Sequence, residues 1–217
     1  NTAPAITLGV TYLTLNDAAE GTTLVLAADH IITPVDEFSL ACERADRLAR
    51  SGKLVTFGIT PTRPETGYGY IEAGEPVAPE THHAASDTSG PAVDGSAPGH
   101  KPATPAGRAG GREVLAFREK PEEATAKAYL EAGNFLWNSG MFVFRNDRFL
   151  EELSVHQSDV AGGFARIGEL ESWERQDKLP VESREGVEIA WGGSFLAELY
   201  GALPKISVDY AIMEAAA

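Results

Sequence analysis

The chain has 217 residues, of which 43% are hydrophobic and 23% are charged, a balance typical of a globular domain with a sizeable core. Its formal net charge of -14 disfavours nucleic acid and anionic membrane surfaces as partners, because both bind basic patches. The single cysteine, Cys42, excludes an internal disulfide framework and indicates a reducing, cytoplasmic location. No apolar run reaches the length of about 20 residues that a membrane-spanning helix needs.

The first part of the chain predicts a strand–helix–strand unit that follows an N-terminal helix. The opening segment favours a helix from Pro4. Residues 24–26 then form an apolar run typical of a strand that is buried on both faces. A helix from residue 34 or 36 to residue 50 and a β-rich segment over residues 53–59 follow. This order predicts an α/β fold with a doubly wound parallel sheet.

A carboxylate lies where the first predicted strand should end. Asp29 follows the apolar run and two alanines, and in open α/β sheets ligands gather at the carboxyl ends of strands. A carboxylate there suits Mg²⁺, which pairs with one or two carboxylates together with substrate phosphates. The alternative is an aspartate that only stabilises the following turn, and the local sequence does not decide between these interpretations.

The middle of the chain holds a loop and an insertion. Residues 60–72 are dense in Pro and Gly and then aromatic, which is typical of a loop whose backbone approaches a substrate, or of a surface turn. Residues 73–111 are rich in Pro, Gly, Ala, Ser and Thr, and predict a flexible insertion in a single domain over residues 1–217. The histidines of this insertion lack the spacing of a metal site; they are His82, His83 and His100.

The second half of the chain alternates strands and helices. A strand over residues 112–121 precedes a helix over residues 122–132. Residues 134–145 predict two core segments separated by a polar turn at Asn138, and Asn146 is expected to cap the next helix. Further helical segments are predicted at residues 158–176, 194–200 and 207–214.

Six blocks of sequence carry a family resemblance. They are NTAPAI (residues 1–6), VLAADHII (25–32), GITPTRPETGYGYIE (58–72), FREKP (117–121), FLWNSGMFVF (135–144) and ISVDYAIME (206–214). With these blocks the chain resembles the mannose-1-phosphate guanylyltransferases, or GDP-mannose pyrophosphorylases, of the long bacterial type that often carries a C-terminal isomerase domain. One block alone would be weak evidence, but six in the family's order span nearly the whole chain outside the insertion.

The resemblance implies a nucleotide-diphospho-sugar transferase fold, a Rossmann-like three-layer α/β/α sandwich that is incomplete here at both ends. It also implies GTP and mannose 1-phosphate as partners, which react to give GDP-mannose and pyrophosphate with Mg²⁺ as cofactor. The sugar phosphate attacks the α-phosphate of GTP in line, so positioning and electrostatics supply most of the acceleration. A homo-oligomer is compatible with the resemblance, and the sequence does not decide the oligomeric state.

The resemblance also implies the roles of individual residues. Asp29 matches a strand-end Mg²⁺ ligand, and Lys120 is similar to the lysine that meets the sugar phosphate as a point charge. These two are the expected catalytic residues. The expected substrate-binding residues surround the sugar and are Tyr68, Gly69, Glu119, Asn138 and Asp209.

These residues also have interpretations that involve no ligand. Glu119 and Lys120 would form a solvated pair at the end of a strand, and Asn138 would simply hold a turn. Asp209 lies in a family motif, but a helix N-cap explains it nearly as well as contact with a ligand.

Two parts of the family pattern have no counterpart in this sequence. Nothing in residues 1–23 resembles the glycine-rich loop that cradles the nucleotide phosphates, and no second metal-binding aspartate follows the SVDYAIME motif. The chain is therefore expected to be an internal fragment with little or no activity alone. The insertion is also longer than the family leads us to expect.

Two other functions stay open from the sequence. One is a related sugar-1-phosphate nucleotidyltransferase with another base or sugar, which a substrate panel would distinguish. The other is a homologue that binds a sugar nucleotide and regulates a partner without catalysis.

Overall fold

The computed structural model describes residues 2–77, 111–168, 181–184, 187–190 and 201–216. The helices are α1 (Thr2–Leu15), α2 (Val35–Arg50), α3 (Glu123–Ala132), α4 (Asn146–His156) and α5 (Ser158–Gly168), with a π-helical turn at Asp209–Met213. The strands are β1 (Thr22–Val25), β2 (Val55–Ile59), β3 (Tyr70–Val77), β4 (Gly111–Arg118), β5 (Phe135–Arg145), β6 (Val181–Arg184) and β7 (Val187–Ala190). None of the described helices has the length and apolar character to cross a bilayer.

The long strand β5 is the centre of the main sheet. Phe142 pairs with β1 on one edge and with β2 on the other, and Trp137 pairs in the same way with β2 and β3. β4 then extends the sheet by pairing with β3. Every one of these pairings is antiparallel. The predicted α/β class is confirmed, but the predicted parallel pairing is wrong in this part of the sheet.

The strand–helix–strand order of β1, α2 and β2 is confirmed, with β5 inserted between the two strands. β1 and β2 both run antiparallel to β5, so they run parallel to each other without pairing. Among the described strands β1 pairs only with β5, and Leu24 and Leu26 stay 40% and 48% exposed. The expectation that this run is buried on both faces is therefore wrong.

Alternate residues of β5 face two different helical layers. Phe142 and Phe144 belong to the larger core, which also takes side chains from α1, α4 and α5: Val10, Phe149, Leu153, Val160 and Phe164. Val143 belongs to a second cluster with Ala45 and Ala49 of α2. Because successive strand residues point to opposite faces, helices cover both sides of the sheet. This is the predicted three-layer α/β/α arrangement.

Two local predictions around β5 are wrong. The strand runs through Asn138 without a turn, and Gly140 alone takes a left-handed φ of +68° inside it. Asn146 does not cap α4. Its side-chain amide donates to the Ala18 carbonyl at 2.8 Å, and its side-chain oxygen accepts from the Thr23 hydroxyl at 2.5 Å. Asn146 thus ties β1 and the turn before it to the start of α4.

The structure contradicts the predicted bounds of the insertion at residues 73–77. β3 continues to Val77, so residues 73–77 belong to a paired strand, and β4 begins at Gly111. The remainder of the insertion, with His82, His83 and His100, lies outside the described residues. The predicted helical residues 169–176 and 194–200 also lie outside them.

Asp46 links α2 to β1 and makes the stability of this contact depend on pH. Its carboxylate accepts from Arg50 at 2.8 Å and from the Thr22 hydroxyl at 2.5 Å, and these bonds lower the pKa of Asp46. Since the folded-state pKa lies below the unfolded-state value, the carboxylate stabilises the fold above that value. The contribution is lost as the pH falls through the folded-state pKa.

Asp46→Asn is therefore expected to lower the free energy of unfolding by about 0.5–1 kcal/mol at neutral pH, in the range of partly exposed ion pairs. The difference from the parent should begin to shrink as the pH falls to the unfolded-state pKa, about 4, and should be lost only below the lower folded-state pKa, where both states bind the proton. Urea unfolding at pH 7 and pH 3 measures it. Glu43→Gln, on the same helix, is the control, and an effect of Asp46→Asn that is equal at both pH values would contradict the linkage.

Candidate active site

Four of the seven predicted site residues line one small pocket of about 10 Å³, which is room for about one water molecule. Gly69, Glu119, Asn138 and Asp209 form its walls, and the other lining residues are Tyr70, Phe117, Arg118, Tyr210 and Glu214. The sheet brings the first three together, because Tyr70 pairs with both Arg118 and Trp137. Gly69, Glu119 and Asn138 each lie next in sequence to one of these three paired residues, so the pairing places them side by side. The antiparallel register thus assembles the pocket from three distant segments.

Asn138 and Asp209 are in direct contact across 71 positions of sequence. The Asn138 side-chain amide donates to Asp209 Oδ1 at 2.6 Å, and its side-chain oxygen accepts from the Gly140 amide at 3.1 Å. An ionised carboxylate only accepts, so this contact fixes the orientation of the amide. Within the part of the chain that the structure describes, no further bond is made by the second N–H of Asn138 or the second oxygen of Asp209, so both remain for a ligand.

The structure also bears on the interpretations of these two residues that involve no ligand. Asp209 is the first residue of the π-helical turn, and Val208 takes the N-cap position. Its carboxylate faces Asn138 in the pocket instead. Asn138 lies within a strand rather than in a turn.

Glu119 lines the pocket and Lys120, the next residue in sequence, does not; we call the Glu119–Lys120 pair the mouth of the pocket. The Lys120 ammonium lies 3.6 Å from Glu119 Oε1, and both side chains are exposed. A Cβ atom at Gly69 would lie 3.0 Å from Glu119 Oε2 and 3.6 Å from the Asn138 Cβ, so the glycine permits the close approach of these segments. Lys120 itself has a left-handed φ of +36°, which a lysine rarely adopts.

Tyr68 lies beside the pocket and not in its lining. Its ring meets the edge of the Trp137 ring at a centroid distance of 5.3 Å. The Arg63 guanidinium also approaches the Trp137 ring, at 5.6 Å from the centroid. Trp137 is 8% exposed, so burial holds its ring in place next to Asn138.

Asp29 lies in the exposed turn that follows β1. In the β1–β5 ladder Thr22 pairs with Arg145 and Val25 with Phe142, so the chain leaving β1 runs toward Asn138. Among the described residues, no hydrogen bond or ion pair joins Asp29 to the pocket. Nor do three or more His, Cys, Asp or Glu side chains of the described residues converge as a metal site. A lone exposed carboxylate still fits Mg²⁺, which takes most of its ligands from phosphates and water.

The pocket is negatively charged, which the sequence interpretation missed. Glu214 and Tyr210 line it next to Asp209. Burial and the nearby carboxylates of Glu119, Glu214 and Asp209 raise the pKa of the Tyr210 phenol. The signal was present in the ISVDYAIME block, where both residues follow Asp209 in sequence. The three carboxylates favour contact with a neutral polyol over contact with a phosphate.

A larger cavity of about 620 Å³ lies elsewhere, between α2, β2 and β4. None of the predicted site residues lines it. Phe117 borders both spaces, so this side chain stands between the cavity and the pocket.

The family of the chain follows from comparison with known proteins. The nucleotidyl transferase family profile matches residues 1–171, and the chain belongs to this family. Within it, the chain is 37% identical over 215 residues to the mannose-1-phosphate guanylyltransferase of Escherichia coli K12. It is 41% identical over 219 residues to that of Salmonella montevideo. Each alignment covers 99% of this chain but only 36% of the relative.

A solved structure supports the same assignment of fold. The mannose-1-phosphate geranyltransferase from Thermus thermophilus superposes with a TM-score of 0.68 at 28% sequence identity. The alignment covers 100% of this chain and 48% of that structure. The predicted resemblance and the α/β fold are therefore confirmed.

Proposed function

We propose that the protein containing this chain transfers GMP from GTP to mannose 1-phosphate, giving GDP-mannose and pyrophosphate. The observation that carries the proposal is the convergence of Gly69, Glu119, Asn138 and Asp209 in one pocket. Similarity over 99% of the chain to relatives that are named for this activity supports it. The chain spans about a third of the length of those relatives, so the activity is proposed for the whole protein.

The carboxylates in the pocket and the ammonium beside it suit the two parts of a sugar phosphate, the uncharged sugar and the anionic phosphate. Glu119 and Asp209 supply acceptors for sugar hydroxyls, and the remaining N–H of Asn138 supplies a donor. The phosphate would be repelled by these carboxylates and belongs at the mouth, next to the Lys120 ammonium. In this pose a phosphate oxygen of the sugar attacks the α-phosphorus of GTP while the bond to the leaving pyrophosphate breaks.

The backbone of Lys120 supports a functional role for its side chain. A left-handed φ on a non-glycine residue costs about 1 kcal/mol or more, and such strain clusters at functional sites. Glycine would remove the strain, but it would also remove the ammonium that pairs with Glu119 at the mouth of the pocket. The side chain thus explains why a strained residue stands at this position.

The proposal includes Mg²⁺, which Asp29 would hold. The ion would offset charge on the phosphates as they are brought together. Asp29 follows the strand that runs toward Asn138, and its carboxylate is exposed to receive the ion. The contribution of the chain itself is to orient the sugar and to place Lys120 beside the attacking phosphate.

A pyrophosphate-release assay tests the proposal on the full-length protein. GTP with mannose 1-phosphate and Mg²⁺ should give turnover, and ATP or glucose 1-phosphate in their place should give much less. Equal or faster turnover with another base or sugar would show a related nucleotidyltransferase instead. Binding of GDP-mannose without any turnover would favour a regulatory homologue.

Asn138→Asp is expected to weaken the binding of mannose 1-phosphate at least about tenfold, because it sets a second carboxylate against Asp209 and removes the N–H donor. The KM for GTP should change little. Steady-state kinetics with each substrate varied in turn measures both effects. Asn134→Asp makes the same change at a residue outside the pocket, and an equal rise in KM for that control would contradict the assignment.

A further inference from the structure

The segment that carries Tyr68 and brings Gly69 to the pocket is held by one buried hydroxyl. The Tyr70 hydroxyl oxygen accepts from the Glu65 backbone amide at 2.9 Å, and its O–H donates to the Glu65 carbonyl at 2.8 Å. Tyr70 is 1% exposed and is fixed in β3 by pairing on both edges. The two bonds therefore attach the loop of residues 65–69 to a rigid strand.

Other contacts of Glu65 hold the inside of the same loop. Its carboxylate accepts from the Gly67 amide at 3.1 Å and pairs with the Arg63 guanidinium at 3.2 Å. These bonds lower the pKa of the Glu65 carboxyl, so it is ionised at neutral pH. Arg63 in turn lies over the Trp137 ring, against which Tyr68 also packs.

The loop needs such attachments because it contains two glycines. Gly67 and Gly69 leave the backbone many conformations, and ordering it on binding would cost conformational free energy. At the far end of the loop, the Gly69 carbonyl accepts from the backbone N–H of Asn138 at 2.8 Å. The Tyr70 hydroxyl fixes the other end at Glu65, so the loop is ordered before a ligand arrives.

We infer that Tyr70 is a positioning residue for the sugar half of the substrate, acting through the loop of residues 65–69. This inference rests on the proposed function for the identity of the substrate. Tyr70 does not reach the reacting atoms through its hydroxyl, since both hydrogen bonds of that group are made to Glu65. Its effect is to keep Gly69 beside Glu119 and Asn138, and Tyr68 against Trp137.

Tyr70→Phe deletes the hydroxyl and keeps the ring that packs with Tyr129 at 5.3 Å. In the full-length protein the KM for mannose 1-phosphate should rise about tenfold, with kcat and the KM for GTP within about twofold of the parent. Amide hydrogen exchange over residues 65–69, measured without substrate, should become at least about tenfold faster. Glu65→Gln, at a surface position, should shift both readouts in the same direction by a smaller factor.

Tyr129→Phe is the matched control, because it makes the same change in the same aromatic cluster. Among the described residues the Tyr129 hydroxyl has no hydrogen-bond partner, so neither readout should move. Exchange in Tyr70→Phe that equals the parent would overturn the inference, as would a fall in kcat with no separate rise in the KM of the sugar phosphate. A parent protein that does not use mannose 1-phosphate would refute the proposed function, while the exchange data would still decide whether Tyr70 orders the loop.

Discussion

Lys120→Gly is expected to reduce kcat/KM about 100-fold or more while leaving the free energy of unfolding within about 1 kcal/mol of the parent. The variant loses the ammonium that we place against the sugar phosphate. It also relieves a left-handed φ of +36°. The relief is opposed by the larger backbone entropy of glycine in the unfolded chain, so the two effects on stability nearly cancel. Pyrophosphate release and urea unfolding of the full-length protein measure both quantities.

Asp17→Gly is the matched control for this variant. Asp17 is the other described non-glycine residue with a positive φ, at +63°, and it lies in the turn after α1. The change should affect stability to a similar small extent and leave turnover unchanged. A Lys120→Gly protein with more than about a tenth of the parent activity would remove Lys120 from the proposed chemistry, in view of the loss expected for a group that stabilises charge in the transition state.

Phe144→Ala is expected to lower the free energy of unfolding by about 3–5 kcal/mol, the range for truncating a large buried aromatic side chain. Phe144 is fully buried, and its ring stacks on Phe149 of α4 with a centroid distance of 4.4 Å. The loss is a large part of the stability of about 5–15 kcal/mol that is typical of a whole domain. Urea unfolding followed by far-ultraviolet circular dichroism measures the change.

Leu115→Ala is the control for the core truncation. Leu115 lies in β4 and is 56% exposed, so its truncation should cost less than about 1 kcal/mol. If the two variants lost equal stability, the packing of β5 against α1, α4 and α5 would not be the main source of stability in this part of the chain.

The helices were largely predictable because their signals are local. α2 and α3 begin and end within about two residues of the prediction, and a left-handed Gly133 ends α3 as helix C-termini favour. The strands were harder, because a short apolar run fixes neither its partner nor its direction. The run at residues 24–26 fits a buried parallel strand as well as the antiparallel pairing with β5 that β1 makes.

The strand through Asn138 shows how tertiary pairing overrides a local signal. Asn-Ser-Gly favours a turn in isolation. In the fold, β2 and β3 pair with β5 on both sides at Trp137, and the Gly140 amide bonds to the Asn138 side chain. These contacts hold the tripeptide in the strand, and they cannot be predicted from the tripeptide sequence alone.

The residues of the candidate site came from the resemblance, but their mutual geometry did not. The contact of Asn138 with Asp209 joins segments 71 positions apart, and only the register of the sheet and the π-helical turn bring them together. The two hydrogen bonds between the Tyr70 hydroxyl and the Glu65 backbone were not predicted either, although the two residues are close in sequence. A hydrogen bond from a tyrosine hydroxyl to the backbone has no recognisable sequence pattern.

The crystal structure of the full-length protein with GDP-mannose and Mn²⁺ tests the central claim most directly. We expect the mannose ring between Gly69, Glu119, Asn138 and Asp209, its phosphate within reach of Lys120, and the anomalous signal of Mn²⁺ at the Asp29 carboxylate. Mannose bound away from these four residues, or Mn²⁺ and Lys120 on opposite sides of the sheet, would contradict the account.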